Sequence, residues 1–163
     1  MLSQAFVVAA ATIMGSSPVL HAGPAHLATN VFALGMFGPR VVRALGWWKF
    51  SFLFLLAGIL TNCASAALMA RPVIGASGAV AAVMAAHLAL FPRSIYAPFI
   101  ALWVALQVVF ASIALDFGGV AWPAHVLGAV IGAGFVFPAR PAPTRRRNCC
   151  CACDNFVAPR EIP

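Results

Sequence analysis

Ser77 stands between glycines in Gly75-Ala76-Ser77-Gly78, inside a stretch apolar enough for hydrocarbon. A hydroxyl in such surroundings is costly unless something uses it. His125 opens another apolar run 48 residues later, and His26 and Asn30 open one that starts 51 residues before Ser77. A nucleophile, a base and two further hydrogen-bond donors are the minimum set for acyl transfer. In that chemistry His125 would take the Ser77 proton and return it to the leaving amine. His26, Asn30 and the Ser77 backbone N–H would hold the tetrahedral oxyanion, where one donor is worth ~10²–10³ in rate.

Helices must bring these groups together. Ser77 is followed by Gly78-Ala79-Val80-Ala81-Ala82-Val83-Met84-Ala85-Ala86, a small-residue apolar helix. The hydroxyl therefore sits at a helix N-terminus, where free N–H groups and the helix dipole favour negative charge. Gly75 and Gly78 let the backbone turn and approach other groups closely. His26 and Asn30, spaced i and i+4, share one helix face. Gly128 and Gly132 follow His125 as a G-x-x-x-G pair, which lets two membrane helices pack closely, and the alanine-rich helix after Ser77 is the expected partner. Intervals of 51 and 48 residues fit two crossings of ~20 residues plus loops. The chain then returns to the same leaflet each time, and all four side chains lie in one layer near the outer surface.

Composition supports crossings rather than a soluble core. Of 163 residues 63% are hydrophobic and 8% charged, against ~25% charged in soluble domains. The reading is an all-α, polytopic transmembrane bundle. Spans are expected at about Ala25–Arg43, bent or ended near Gly38-Pro39, then Trp47–Leu68, Ser77–Phe91, Ile95–Leu115 and Trp122–Val136. Residues 1–15 form a short apolar segment, 16–138 the membrane core and 139–163 an Arg/Cys-rich tail expected to be disordered. The apolar run at 2–14 is short for a crossing and lacks the basic n-region of a signal peptide.

The net charge of +7 does not signal nucleic acid. Arg40, Arg43, Lys49, Arg93, Arg140, Arg145, Arg146, Arg147 and Arg160 fall on one side of the predicted spans, and Arg71 alone falls on the other. This asymmetry predicts a cytoplasmic tail and a site opening to the outer side, in the cell membrane if the source is bacterial.

The stretch His21-Ala22-Gly23-Pro24-Ala25-His26-Leu27-Ala28-Thr29-Asn30, the Gly75-Ala76-Ser77-Gly78 box and Ala124-His125-x-x-Gly128-x-x-x-Gly132 together resemble the rhomboid intramembrane serine proteases. Phe37-Gly38-Pro39-Arg40 and Leu90-Phe91-Pro92-Arg93 resemble loops of the same family, and the likeness covers about residues 16–137. The resemblance implies a six-helix core with a water-accessible cavity, a Ser77–His125 dyad working without a third acid, and His26 and Asn30 in the oxyanion role. It implies single-span transmembrane proteins as substrates, entering sideways from the lipid. Two departures stand out. The family's usual leading helix and its membrane-lying loop with a Trp-Arg motif have no counterpart here beyond the stub at 1–14. Val42 stands where many members have Glu.

Each residue also has a plainer reading. Ser77 and His125 can be packing or interhelical hydrogen-bond residues, and His26 and Asn30 can cap or tie helices. His87, ten residues beyond Ser77 and so ~15 Å along the helix, is expected to be structural. Cys63 is expected to pack. Cys149, Cys150, Cys151 and Cys153 are poorly spaced for zinc and sit beside arginines, where acylation is the alternative to no role. No metal or organic cofactor is implied. The competing function is a proteolytically inactive relative that binds transmembrane clients. A transporter would need more polar groups deep in the spans than Gln107 and His87 supply.

Overall fold

A computed structural model describes residues 23–69, 75–113 and 121–139. These residues form helices and connecting turns, with no strand among them. Five α-helices follow in order: α1 (Pro24–Leu45), α2 (Trp47–Met69), α3 (Ser77–Leu90), α4 (Ala97–Ser112) and α5 (Trp122–Val136), with a 3₁₀ turn at Phe137–Ala139. The expectations for residues 1–15, Arg71 and the cysteine-rich tail fall outside the described residues.

Local chemistry sets the helix ends. Pro24, Pro98 and Pro123 stand in the first turns of α1, α4 and α5, where a missing N–H costs nothing and φ is already helical. Gly46, at φ +81°, is the single residue between α1 and α2, and its N–H bonds the Val42 carbonyl at 2.7 Å. Pro92 stops α3 just past Phe91, whose N–H still reaches the His87 carbonyl at 2.8 Å. At Gly38-Pro39, where a bend or an end is expected, the helix does not end: α1 runs through Pro39 to Leu45. A membrane helix accommodates proline where neighbours re-satisfy the freed carbonyl. α4 begins at Ala97 rather than Ile95, because Ile95 belongs to the turn that Pro98 terminates.

α3 is the hub. It contacts all four other helices, α5 most extensively, and every residue from Gly78 to His87 is buried. The packing inverts the rule of soluble proteins. Around α3 the centre is rich in alanine, glycine and valine, with Phe37, Leu53 and Ile100 and the polar Thr61, Asn62, Ser65 and Gln107 also buried, while Phe32 (68% exposed), Trp48 (85%), Leu68 (75%) and Val130 (64%) face outward. Large apolar groups outside and small or polar groups inside suit a hydrocarbon solvent, in which close backbone packing drives helix association. The chain is an integral, multi-pass membrane protein. Within α2, Trp47–Ser65 is long and apolar enough by itself to cross a bilayer; α3, α4 and α5 are shorter apolar helices.

Candidate active site

Small residues at the α3–α5 crossing place the site. A β-carbon on Gly128 would overlap the Gly78 carbonyl oxygen, and one on Gly132 would overlap the Ala82 carbonyl oxygen. The G-x-x-x-G pair of α5 therefore lies directly on the backbone of α3, at the alanine-rich face expected from the sequence. Gly128 is one turn below His125, and Gly78 is the residue after Ser77, so the first turns of α3 and α5 lie side by side. α2 approaches the same point: Thr61 occupies the space a Gly78 side chain would need, its own hydroxyl bonded back to the Ala57 carbonyl at 2.7 Å.

The loop into Ser77 is held from two sides. Gly75 adopts φ +129°, a conformation L side chains rarely take. A β-carbon there would lie 2.8 Å from Cε1 of His26, so the His26 ring rests on the Gly75 backbone. From α2, the buried Asn62 donates through Nδ2 to the Gly75 carbonyl at 3.3 Å. Ser77 is the first residue of α3 and is half-buried.

The start of α1 thus reaches the start of α3. Asn30, one turn beyond His26, is buried, and its Nδ2 donor has no hydrogen-bond partner among the described residues. An unsatisfied amide donor in a low-dielectric interior is costly and calls for an explanation.

His125 is enclosed by α4 and α5. Its ring lies 5.7 Å from that of Trp103 and 6.1 Å, edge to face, from that of Trp122. Its Nδ1 is 2.7 Å from Oε1 of Gln107, and both residues are buried. Trp103, Gln107 and Phe110, spaced by four and three residues, form the face of α4 turned to the start of α5, where Phe110 packs on Trp122 at 4.9 Å. In the sequence Gln107 stands out only as one of two polar groups, with His87, deep in the spans. Its signal was that an amide in an otherwise apolar span needs a partner. Among the described residues no hydrogen bond joins Ser77 to His125; their proximity follows from the backbone crossing. Nucleophile–base contacts are commonly looser before substrate binds.

His87 takes no part. It lies at the other end of α3, fully buried among the rings of Phe37, Phe91 and Tyr96 at 5.4, 5.2 and 6.4 Å. Among the described residues no group of three metal-ligating side chains converges.

Comparison with known proteins gives this geometry a context. A sequence model of the rhomboid domain matches residues 10–141. The rhomboid protease GluP of Bacillus subtilis is 45% identical over 62 residues, 38% of this chain and 12% of that protein. RHOMBOID-like protein 9, chloroplastic, of Arabidopsis thaliana is 36% identical over 69 residues, 42% of this chain and 16% of that protein. The presenilin-associated rhomboid-like protein, mitochondrial, of Rattus norvegicus is 31% identical over 127 residues, 68% of this chain and 33% of that protein. The chain spans a third or less of the length of these relatives. No solved structure matches it.

Proposed function

The chain belongs to the rhomboid family, and from that premise we propose that it is an intramembrane serine endopeptidase using Ser77 as nucleophile and His125 as base. The observation that carries the reading is the seating of Gly128 on the Gly78 carbonyl, because it fixes the first turns of α3 and α5 side by side. The substrates are single-span transmembrane proteins, cut within or beside the bilayer on its outer side.

The reaction runs in two halves. As the Ser77 Oγ bonds to the scissile carbonyl carbon, its proton passes to the imidazole of His125 and the carbonyl π pair moves onto oxygen. The resulting oxyanion is held by the free Nδ2 of Asn30, by His26 and by the Ser77 N–H at the start of α3. The tetrahedral species collapses, the C–N bond breaks, and the departing amine takes the proton from His125. Water then repeats the sequence on the acyl-enzyme, with His125 again as base, and releases the carboxylate and Ser77. Three features support these roles: a nucleophile on the first turn of a helix, a buried base beside it and an unpaired buried donor.

Purified protein in proteoliposomes with a single-span substrate tests the reading. Ser77→Ala and His125→Ala should each abolish cleavage, and a fluorophosphonate probe should label the wild-type protein but not Ser77→Ala. Cleavage that survives Ser77→Ala ends the proposal. A well-folded protein that neither cuts nor labels would instead be an inactive relative that binds transmembrane clients.

A further inference from the structure

We infer that Gln107 is a positioning residue for the base, holding His125 in the tautomer that can accept the serine proton. The inference rests on the dyad reading above and deepens it. A side-chain amide oxygen can only accept a hydrogen bond. With Oε1 of Gln107 at 2.7 Å from Nδ1, the hydrogen must sit on Nδ1, and the neutral ring carries its lone pair on Nε2. Nε2, the nitrogen that the dyad reading assigns to Ser77, is then the basic one. The other tautomer would turn an N–H toward Ser77 and could take no proton from it. A buried group on the base's far nitrogen settles the tautomer and ring angle together.

The surroundings make the hold specific. The imidazole is in ring contact with the indoles of Trp103 and Trp122, which confine the ring. Trp103 precedes Gln107 by one turn on the same face of α4. Gln107 is 4% exposed in a helix with no other buried polar side chain. During the reaction Nε2 gains the Ser77 proton, Nδ1 keeps its own, and the amide oxygen faces the cation with the negative end of its dipole. Gln107 thus occupies the place that a carboxylate holds in a three-residue triad, with a dipole in place of a charge.

The test pairs a spectroscopic and a kinetic readout on the full chain. Ring-¹⁵N-labelled histidine distinguishes Nδ1–H from Nε2–H, and His125→Ala identifies the relevant signal. Wild-type protein should show the Nδ1–H form at neutral pH. Gln107→Met, which keeps the bulk but has no acceptor oxygen, should lose that form and lower kcat by about tenfold or more with KM little changed. Gln107→Glu, which keeps a carbonyl oxygen in either protonation state, should retain the Nδ1–H signal and most of the activity. Circular dichroism and thermal unfolding establish that both variants fold. An Nε2–H signal in the wild type, or a Gln107→Met protein with unchanged tautomer and unchanged kcat, overturns the inference. Failure of the protease reading shows differently. There the wild type neither cuts nor labels with fluorophosphonate, while the nitrogen spectra still report whether Gln107 fixes the ring.

Discussion

The backbone carbonyl of Gly78 fills the space into which any side chain at position 128 would have to project. Two helices that carry the proposed nucleophile and base are thereby held at backbone distance. Gly128→Ala should force them apart and destabilise the bundle by about 1–3 kcal/mol. Because the dyad straddles the crossing, cleavage should fall further than the population of folded protein does. Thermal unfolding in detergent beside a proteoliposome assay separates the two effects; equal stability and activity to wild type would show that the crossing is slack.

Asn30 offers the opposite case. Its Nδ2 bonds nothing among the described residues, so truncation breaks no bond there. Asn30→Ala should leave thermal stability unchanged or raise it, while lowering kcat by ~10²–10³ as one oxyanion donor is lost. A large loss of stability with normal turnover in the surviving fraction would make Asn30 a structural residue.

Gly75 is strained for any L residue at φ +129°, and His26 lies against it. Gly75→Ala should cost about 1–3 kcal/mol and displace both the His26 ring and the loop entering Ser77. Fluorophosphonate labelling of Ser77 should slow accordingly. Labelling at the wild-type rate would mean the loop geometry is not needed.

His87 is the control. Three aromatic rings surround it at the far end of α3, and Phe preserves both shape and apolar burial. His87→Phe should fold and cut as the wild type does. A selective loss of kcat would require a role for this ring that its distance from Ser77 does not offer.

The pattern of residues shows why some of this was legible in advance. Backbone contact between helices needs missing side chains, so Gly128, Gly132 and the alanines after Ser77 announce their own pairing. The spans were legible because an apolar run bounded by Pro and Arg has few other uses, and α5 was placed at Trp122–Val136 from the sequence and in the structure alike. The contact of Gln107 with His125 was not legible. α4 is apolar on all sides, so no polar stripe says which face turns inward. Tertiary packing, with Ile100 and Gln107 buried and Phe110 against Trp122, fixes its rotation. Pro39 alone does not say whether the helix bends or ends, since a helix breaker in water is tolerated where lipid leaves the backbone no better partner.

α3 has 14 residues, of which the ten from Gly78 to His87 are buried, which separates most of it mechanically from the lipid. At 1.5 Å per residue it measures about 21 Å, short of a ~30 Å hydrocarbon layer. Hydrophobic mismatch therefore cannot pull on it directly. Changes in acyl-chain length act on the outward faces of α1, α2, α4 and α5, where Phe32, Phe52, Leu102 and Val130 are exposed. A thicker or thinner bilayer should tilt that sheath of helices around a fixed axle, and with it His26 and Asn30 on α1 and Gln107 on α4 relative to Ser77.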